Sequence, residues 1–140
     1  MLIDELKAAK IEAFKQKDNV KKDILGIIVS KYQLALVEAR AQNKEIGDKE
    51  LLAIIQKTLK ELSDEKEGYR KVGNETKVND ISRQEEVISS YLPKQLNEEE
   101  IRKIIASLDD KSVPSVMKHF KTNYAGQVDM SLVNSVLRSL

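Results

Sequence analysis

The sequence predicts an all-α protein, with an N-terminal bundle of about four longer helices and a small C-terminal three-helix domain. Apolar residues recur at spacings of three and four along seven segments, which is the periodicity of amphipathic helices, and no strand-like alternation persists. The 140 residues include five Gly and two Pro, too few for a turn-rich β-sandwich. With no Trp, two Phe and four Tyr, the core is expected to be aliphatic.

The domain boundary is expected at Pro93, because proline removes a backbone donor and stops the helix that precedes it. Residues 1–92 then form the N-terminal domain and residues 93–140 the C-terminal domain. Residues 91–96 are expected to connect the two helical parts.

Two helices are expected over residues 2–17 and 20–42, separated by an interruption in which Asp18 or Asn19 can cap the second helix. Gly26 lies inside the second helix, and close approach of another helix is the expected reason. The apolar stripe of the first helix is predicted to contain Leu2, Leu6, Ala9, Ala13 and Phe14, and that of the second Val20, Ile24, Ile27, Ile28, Leu34 and Ala35.

The third helix, over residues 49–72, has the clearest periodicity in the chain, and Asp48 can cap it. Gly73 is expected to end it in a left-handed conformation, and Asn74 to cap a fourth helix over residues 75–91. So short a connection favours an antiparallel pair. The seam of the third helix is predicted to contain Leu51, Ile55, Thr58, Leu62, Glu65, Tyr69 and Val72.

The fifth helix has the strongest local signal, a capping-box pattern in which Asn97 and Glu100 each accept a hydrogen bond from the other's backbone amide. Leu96 and Ile101 are placed as a hydrophobic staple around it. The acidic run 98–100 fits the positive end of the helix dipole, so a metal site is not needed to explain it. A sixth helix is expected to start within residues 112–114, where Pro114 is tolerated in a first turn, and to reach about residue 123.

A seventh helix is expected to follow a loop over residues 124–128, with Asp129 as its cap. Its inward face is predicted to contain Leu132, Val133, Val136, Leu137 and Leu140.

The residue types give little support for catalysis. The chain has no Cys and a single His, which excludes a Cys nucleophile, a disulfide scaffold and the common zinc ligand spacings. The five Gly are isolated, so no Gly-rich phosphate loop is present. We therefore expect no autonomous activity, no cofactor and no bound metal. No apolar run is long enough to cross a membrane, and a soluble, cytoplasmic protein is expected.

A candidate binding surface lies in the C-terminal domain, although the net charge of the whole chain is only +1. The last 30 residues contain four Lys or Arg and one Asp, a local charge of +3. Residues 117–127 combine this charge with amide and aromatic groups, which could contact RNA phosphates and stack on bases. The alternative is structural: Phe120 in the core, Tyr124 packed on the loop and solvated lysines. The candidate RNA-binding residues are Lys94, Lys118, His119, Lys121, Asn123, Tyr124, Gly126 and Gln127.

The string Tyr91-Leu92-Pro93-Lys94-Gln95-Leu96, followed by Glu98-Glu99-Glu100-Ile101, resembles the GatB/YqeY family. The pair Lys17-Asp18, the pair Val116-Met117, and the pattern Gly126-x-x-Asp129 followed by Leu132-Val133-Asn134 also match it, so the resemblance covers essentially the whole chain. Stand-alone members have this length and are similar to the C-terminal tail of the GatB subunit of the tRNA-dependent amidotransferase.

The resemblance implies a helical N-terminal domain, a small C-terminal three-helix domain and a link to tRNA. Two positions depart from the family pattern. Gly26 stands where an Arg is common, and residues 126–130 read Gly-Gln-Val-Asp-Met where Gly-Arg-Ala-Asp-Gly is common. Loss of that second Arg removes a phosphate contact.

The resemblance and the residues together leave three functions open. The first is a non-catalytic module that binds tRNA or a tRNA-handling complex. The second is an adapter for a protein partner that docks on the helical bundle. The third is an accessory role in glutamine-dependent amidation, a carbon–nitrogen ligase reaction with glutamine as amide donor, implied by the family alone.

Overall fold

The computed structural model describes residues 1–140 and contains seven α-helices and no strand, which confirms the predicted all-α class. The chain forms two compact units, which we call unit 1 (Met1–Tyr91) and unit 2 (Leu92–Leu140). The helices are α1 (Leu2–Lys15), α2 (Asn19–Ala41), α3 (Asp48–Lys71), α4 (Glu75–Ser89), α5 (Glu98–Ala106), α6 (Val113–Asn123) and α7 (Met130–Arg138).

Side-chain caps fix two helix starts in unit 1. The Oδ1 atom of Asp18 accepts a hydrogen bond from the Lys21 amide at 3.2 Å, and Oδ1 of Asn74 accepts one from the Lys77 amide at the same distance. Gly73, with φ of +72°, lies in the left-handed region between α3 and α4. Asp18 and Asn74 supply acceptors for backbone amides that have no partner within the helix, and Gly73 supplies the left-handed conformation after a helix end, as predicted for these positions.

The predicted cap of α3 is wrong. Gly47 occupies the cap position, and its amide donates to the Glu50 carboxylate at 2.8 Å. Asp48 is the first helical residue, and its Oδ1 accepts from the Leu2 amide at 3.2 Å, so it joins the starts of α1 and α3.

The core of unit 1 is aliphatic. Helix α1 packs on α2, α3 packs on α4, and α2 also packs against both α3 and α4. Thr58 is the one buried polar residue, and its hydroxyl donates to the Ile54 carbonyl at 2.8 Å and accepts from Lys31 Nζ at 2.9 Å. The side chains with no exposed surface in this unit are Leu6, Ile24, Leu25, Ile28, Leu51, Ile55 and Ile88.

Six residues that the periodicity assigned to the packed faces of helices are exposed, among them the charged Glu65 of α3. Val72 and Leu140 lie beyond the last residues of α3 and α7, where no helix face continues. Phe14 lies in the last turn of α1 and is 68% exposed. In α2, Ile27 and Leu34 are 43% and 62% exposed.

The packed side of α2 is rotated relative to the predicted stripe. Leu25, Val29 and Tyr32, which the prediction omitted, are buried beside Ile24 and Ile28. Apolar residues occur around most of this helix, so periodicity alone could not identify the side that faces three neighbouring helices.

The core of unit 2 forms where α7 packs against α5 and α6. The predicted capping box is confirmed: the Glu100 amide donates to Asn97 Oδ1 at 2.8 Å, and the Asn97 amide donates to Glu100 Oε1 at 3.2 Å. The buried cluster consists of Ile101, Ile105, Val116, Phe120, Val128, Val133 and Val136.

None of the seven helices combines the length and the apolar character that crossing a membrane requires.

Candidate functional site

Helix α6 contains four of the candidate residues and is held in place by its buried side. These residues are Lys118, His119, Lys121 and Asn123. Val116 and Phe120 have no exposed surface and hold this helix against the core of unit 2. Lys118 and Lys121 lie on its exposed surface, three residues apart and therefore on neighbouring positions of the same side. The packing of α6 thus presents two ammonium groups to solvent.

The charges on α6 have no carboxylate partner. Neither Lys118 nor Lys121 makes an ion pair, whereas on α5 Arg102 pairs with Glu98 at 2.9 Å. Lys103 and Glu99 approach within 3.9 Å on the same helix. The acidic run at the start of α5 is therefore engaged locally and leaves the positive charge of α6 uncompensated.

Asp110 is also engaged locally. It accepts from the Ser112 amide at 2.9 Å and from the Ser115 hydroxyl at 2.7 Å, and these bonds hold the pKa of Asp110 below its ordinary value. Asp129 accepts from the Ser131 amide at 2.9 Å as the predicted cap of α7. Both carboxylates stabilise helix starts through backbone amides.

A small polar and aromatic cluster occupies the end of α6. Asn123 Nδ2 donates to the His119 carbonyl at 3.1 Å and lies 3.2 Å from His119 Nδ1. The Tyr124 ring lies 5.9 Å from the His119 ring and 5.6 Å from the Phe120 ring, centroid to centroid. Phe120 is therefore core, as the structural alternative predicted, while His119 and Tyr124 are half-buried beside it.

The loop after α6 is fastened to the connector before α5. Gly126 has φ of +78°, a conformation that glycine adopts without strain, and it is buried. Its carbonyl accepts from Gln95 Nε2 at 2.6 Å, and the Gln127 carbonyl accepts from the Leu96 amide at 2.7 Å. The same Gln95 amide group also donates to the Pro93 carbonyl at 2.9 Å.

These contacts bring the candidate residues together in two groups. His119, Asn123 and Tyr124 form one group, and the loop residues Gly126 and Gln127 lie beside the connector segment 93–96, which also contains the exposed Lys94. The side chains of Lys118 and Lys121 make no hydrogen bond to either group.

Gln95, whose side chain joins the connector to the loop, is not among the residues predicted from the sequence. The only signal was an amide residue inside a short connector, and nothing in the sequence indicates which carbonyl it reaches 31 residues away.

The arrangement in unit 2 offers cations, amides and backbone carbonyls rather than converging acid–base groups. No group of three or more His, Asp or Glu side chains converges so as to hold a metal ion. The surface of α6 is suited to binding an anionic partner through charge and hydrogen bonds.

Comparison with known proteins identifies the family. None of the curated proteins matches the chain. A family model described as YqeY-like protein matches residues 3–140, which is nearly the whole chain. The predicted family is therefore confirmed, and this chain belongs to the YqeY-like protein family.

Proposed function

We propose that the protein is a non-catalytic helical module that binds tRNA, or a complex that handles tRNA, through residues 112–134 of unit 2. The observation that carries the proposal is the pair Lys118 and Lys121, exposed on one helix and without a carboxylate partner.

Unpaired lysines are effective phosphate ligands because binding releases counterions condensed on the nucleic acid. A cationic side chain that is already in an ion pair must first release its partner, as Arg102 on α5 would have to release Glu98. The α6 lysines have no such competitor, so they contribute their full charge to an RNA contact.

The neighbouring groups add hydrogen-bonding and aromatic contacts to the charge of the two lysines. Asn123 and His119 can hydrogen-bond to phosphate or ribose at the end of α6, and the fastened loop at Gly126 holds its backbone in one conformation. Tyr124 is half-buried against Phe120 and His119, so it supports the surface and contributes limited stacking.

The choice of tRNA among RNAs depends on the family likeness. The connector string 91–96 resembles the tail of the amidotransferase subunit that helps to hold tRNA. Residues 3–140 match the YqeY-like protein family, whose stand-alone members resemble that tail. The kinase and amidase chemistry of that enzyme lies in domains absent from these 140 residues.

The proposal is tested by titrating fluorescently labelled tRNA at low salt with the full chain and two double variants. Lys118→Glu/Lys121→Glu reverses the proposed phosphate contacts. Lys57→Glu/Lys60→Glu is the matched control, because it changes two exposed lysines with the same spacing on α3 of unit 1 and alters the net charge equally. We expect micromolar or tighter binding by the wild type, a loss of about ten-fold or more in the first variant, and little change in the control.

Absence of binding by the wild type at low salt would reject the proposal. Equal losses in the two double variants would also reject it, since they would show attraction by overall charge and no binding surface on α6.

A further inference from the structure

A groove along α1 and α2 of unit 1 has an apolar lining that the chain itself leaves exposed. Its volume is about 420 Å3. Its apolar lining residues are Val29, which is 7% exposed, and Ile11 and Phe14, which are 57% and 68% exposed. An exposed Phe beside an exposed Ile within one turn of a helix is a feature of surfaces that bind another apolar surface.

The groove has the length of a short helix. The α2 residues that line it extend from Lys22 to Gln33, which corresponds to roughly 16 Å at about 1.5 Å per residue. The α1 residues that line it extend from Lys7 to Phe14. A partner helix of about three turns would therefore fit along it.

The rim of the groove is cationic. Lys7, Lys10 and Lys22 line it, and no carboxylate does. Lys22 Nζ lies 6.0 Å from the centroid of the Phe14 ring and 3.6 Å from Asp23 Oδ1, so an adjacent acid partly neutralises it. Lys7 and Lys10 make no ion pair, which leaves a net positive charge around the apolar surface.

The Lys10 side chain lies against α2 at Gly26. A Cβ atom at Gly26 would be 3.4 Å from Lys10 Cε and 3.6 Å from Lys10 Nζ, so both the stem and the ammonium group lie over the glycine. Long cationic side chains commonly cover apolar surface in this way while the charge stays in solvent. Apolar and positive surfaces are thereby combined within one groove.

We propose that this groove is a docking site for an acidic amphipathic helix of a partner protein. Apolar side chains of that helix, spaced i, i+3 or i+4, and i+7, contact Ile11, Phe14 and Val29, and its Asp and Glu side chains face Lys7 and Lys10. The charge complementarity selects an acidic partner over a basic one. RNA phosphates would use the lysines but leave Ile11 and Phe14 exposed to water, and a flat bilayer would not reach the base of a concave groove.

The test uses two synthetic helical peptides of about 18 residues, roughly five turns. Both have Leu at i, i+3, i+4 and i+7; one has Glu at the flanking positions and its twin has Gln. Binding to the full chain is measured by fluorescence anisotropy and located by backbone amide chemical shifts. We expect the Glu peptide to shift amides along the groove in α1 and α2, with affinity at least about ten-fold higher than that of the Gln peptide.

Matched variants separate the groove from the rest of the surface. Phe14→Ser should weaken the Glu peptide by about ten-fold or more, because a large apolar contact is lost. Leu34→Ser, a change at another exposed apolar residue of α2, should leave the affinity unchanged. Lys10→Glu should weaken binding more than Lys15→Glu, which alters an exposed α1 lysine outside the groove lining. All four residues are exposed, so each variant should keep the wild-type circular dichroism spectrum.

Equal affinity for the two peptides, or equal effects of Phe14→Ser and Leu34→Ser, would overturn the proposal. So would tRNA or phosphatidylserine vesicles that shift the groove amides in place of the peptide. Self-association in ultracentrifugation that Phe14→Ser abolishes would assign the groove to a second copy and overturn it equally. The groove lies in unit 1, so Lys118→Glu/Lys121→Glu should not alter peptide binding, and failure of either proposal can be recognised separately.

Discussion

Most features that depend on contacts within a few residues were predicted from the sequence, although the cap of α3 is Gly47 and not Asp48. The Asn97–Glu100 capping box, the Asp129 cap and the left-handed Gly73 depend on contacts within a few residues, so the local sequence contains the required information. Gln95 was missed because its partner, the Gly126 carbonyl, is close only after unit 2 has folded.

The capping box predicts the effect of a single substitution. Asn97→Ala removes the acceptor of the Glu100 amide and should destabilise unit 2 by about 1 kcal/mol. Hydrogen exchange at the Glu100 and Ile101 amides should become faster. Asn97→Ser, which keeps a capping oxygen, should retain most of the protection; equal acceleration in both variants would contradict the assignment.

The lowered pKa of Asp110 predicts that the stability of the folded state decreases at acidic pH. Hydrogen bonds from the Ser112 amide, then from the Ser115 hydroxyl, lower its pKa below 3.8, so they stabilise the folded state above that value. The contribution is lost as the pH falls through the lowered pKa. Ser115→Ala should raise the pKa of Asp110 toward 3.8, as followed by carboxyl carbon chemical shifts.

Ser107→Ala is the control for that titration, because the Ser107 hydroxyl bonds to the Ile104 carbonyl and touches no carboxylate. An Asp110 pKa that is identical in the wild type and the Ser115→Ala variant would contradict the hydrogen-bond explanation.

At the scale of helices, the sequence predicted their number and approximate ends better than the sides they bury. The buried side of α2 was predicted incorrectly because its neighbours come from distant segments, α3 and α4 as well as α1. Charge pairing has the same origin. Lys66 of α3 pairs with Glu85 of α4 at 2.6 Å, and Lys31 of α2 pairs with Glu61 of α3 at 2.9 Å, so these partners are also distant in the sequence.

Gly68, inside α3, and Gly73, which follows the end of α3, are expected to respond in opposite ways to substitution by alanine. Gly68 lies inside the helix, and no atom lies within 4 Å of the position that an added Cβ would occupy, so Gly68→Ala should stabilise unit 1 by about 0.5–1 kcal/mol. Gly73 also has open space but φ of +72°, so Gly73→Ala should destabilise it by about 1 kcal/mol. Denaturant unfolding measures both, and changes of the same sign would contradict the role of backbone conformation.

Over the whole molecule, positive and negative charges nearly cancel, but they are distributed unevenly. The formal net charge is +1, but in unit 2 Asp110 and Asp129 accept hydrogen bonds at helix starts, and Glu98 and Glu99 pair with cations on α5. The sequence predicted the cationic bias of the C-terminal part because it is visible as composition. It could not predict the groove of unit 1, because Phe14 was assigned to a packed face and Ile11 belonged to no predicted stripe.

If the unpaired α6 lysines bind tRNA phosphates, the affinity for tRNA depends on salt concentration through those two lysines. The observed association constant should fall steeply with salt concentration, with a slope proportional to the number of phosphates neutralised. For Lys118→Glu/Lys121→Glu the slope should decrease by the equivalent of about two phosphate contacts, while Lys57→Glu/Lys60→Glu keeps the wild-type slope. A slope that is the same in all three proteins would show that Lys118 and Lys121 do not contact tRNA phosphates.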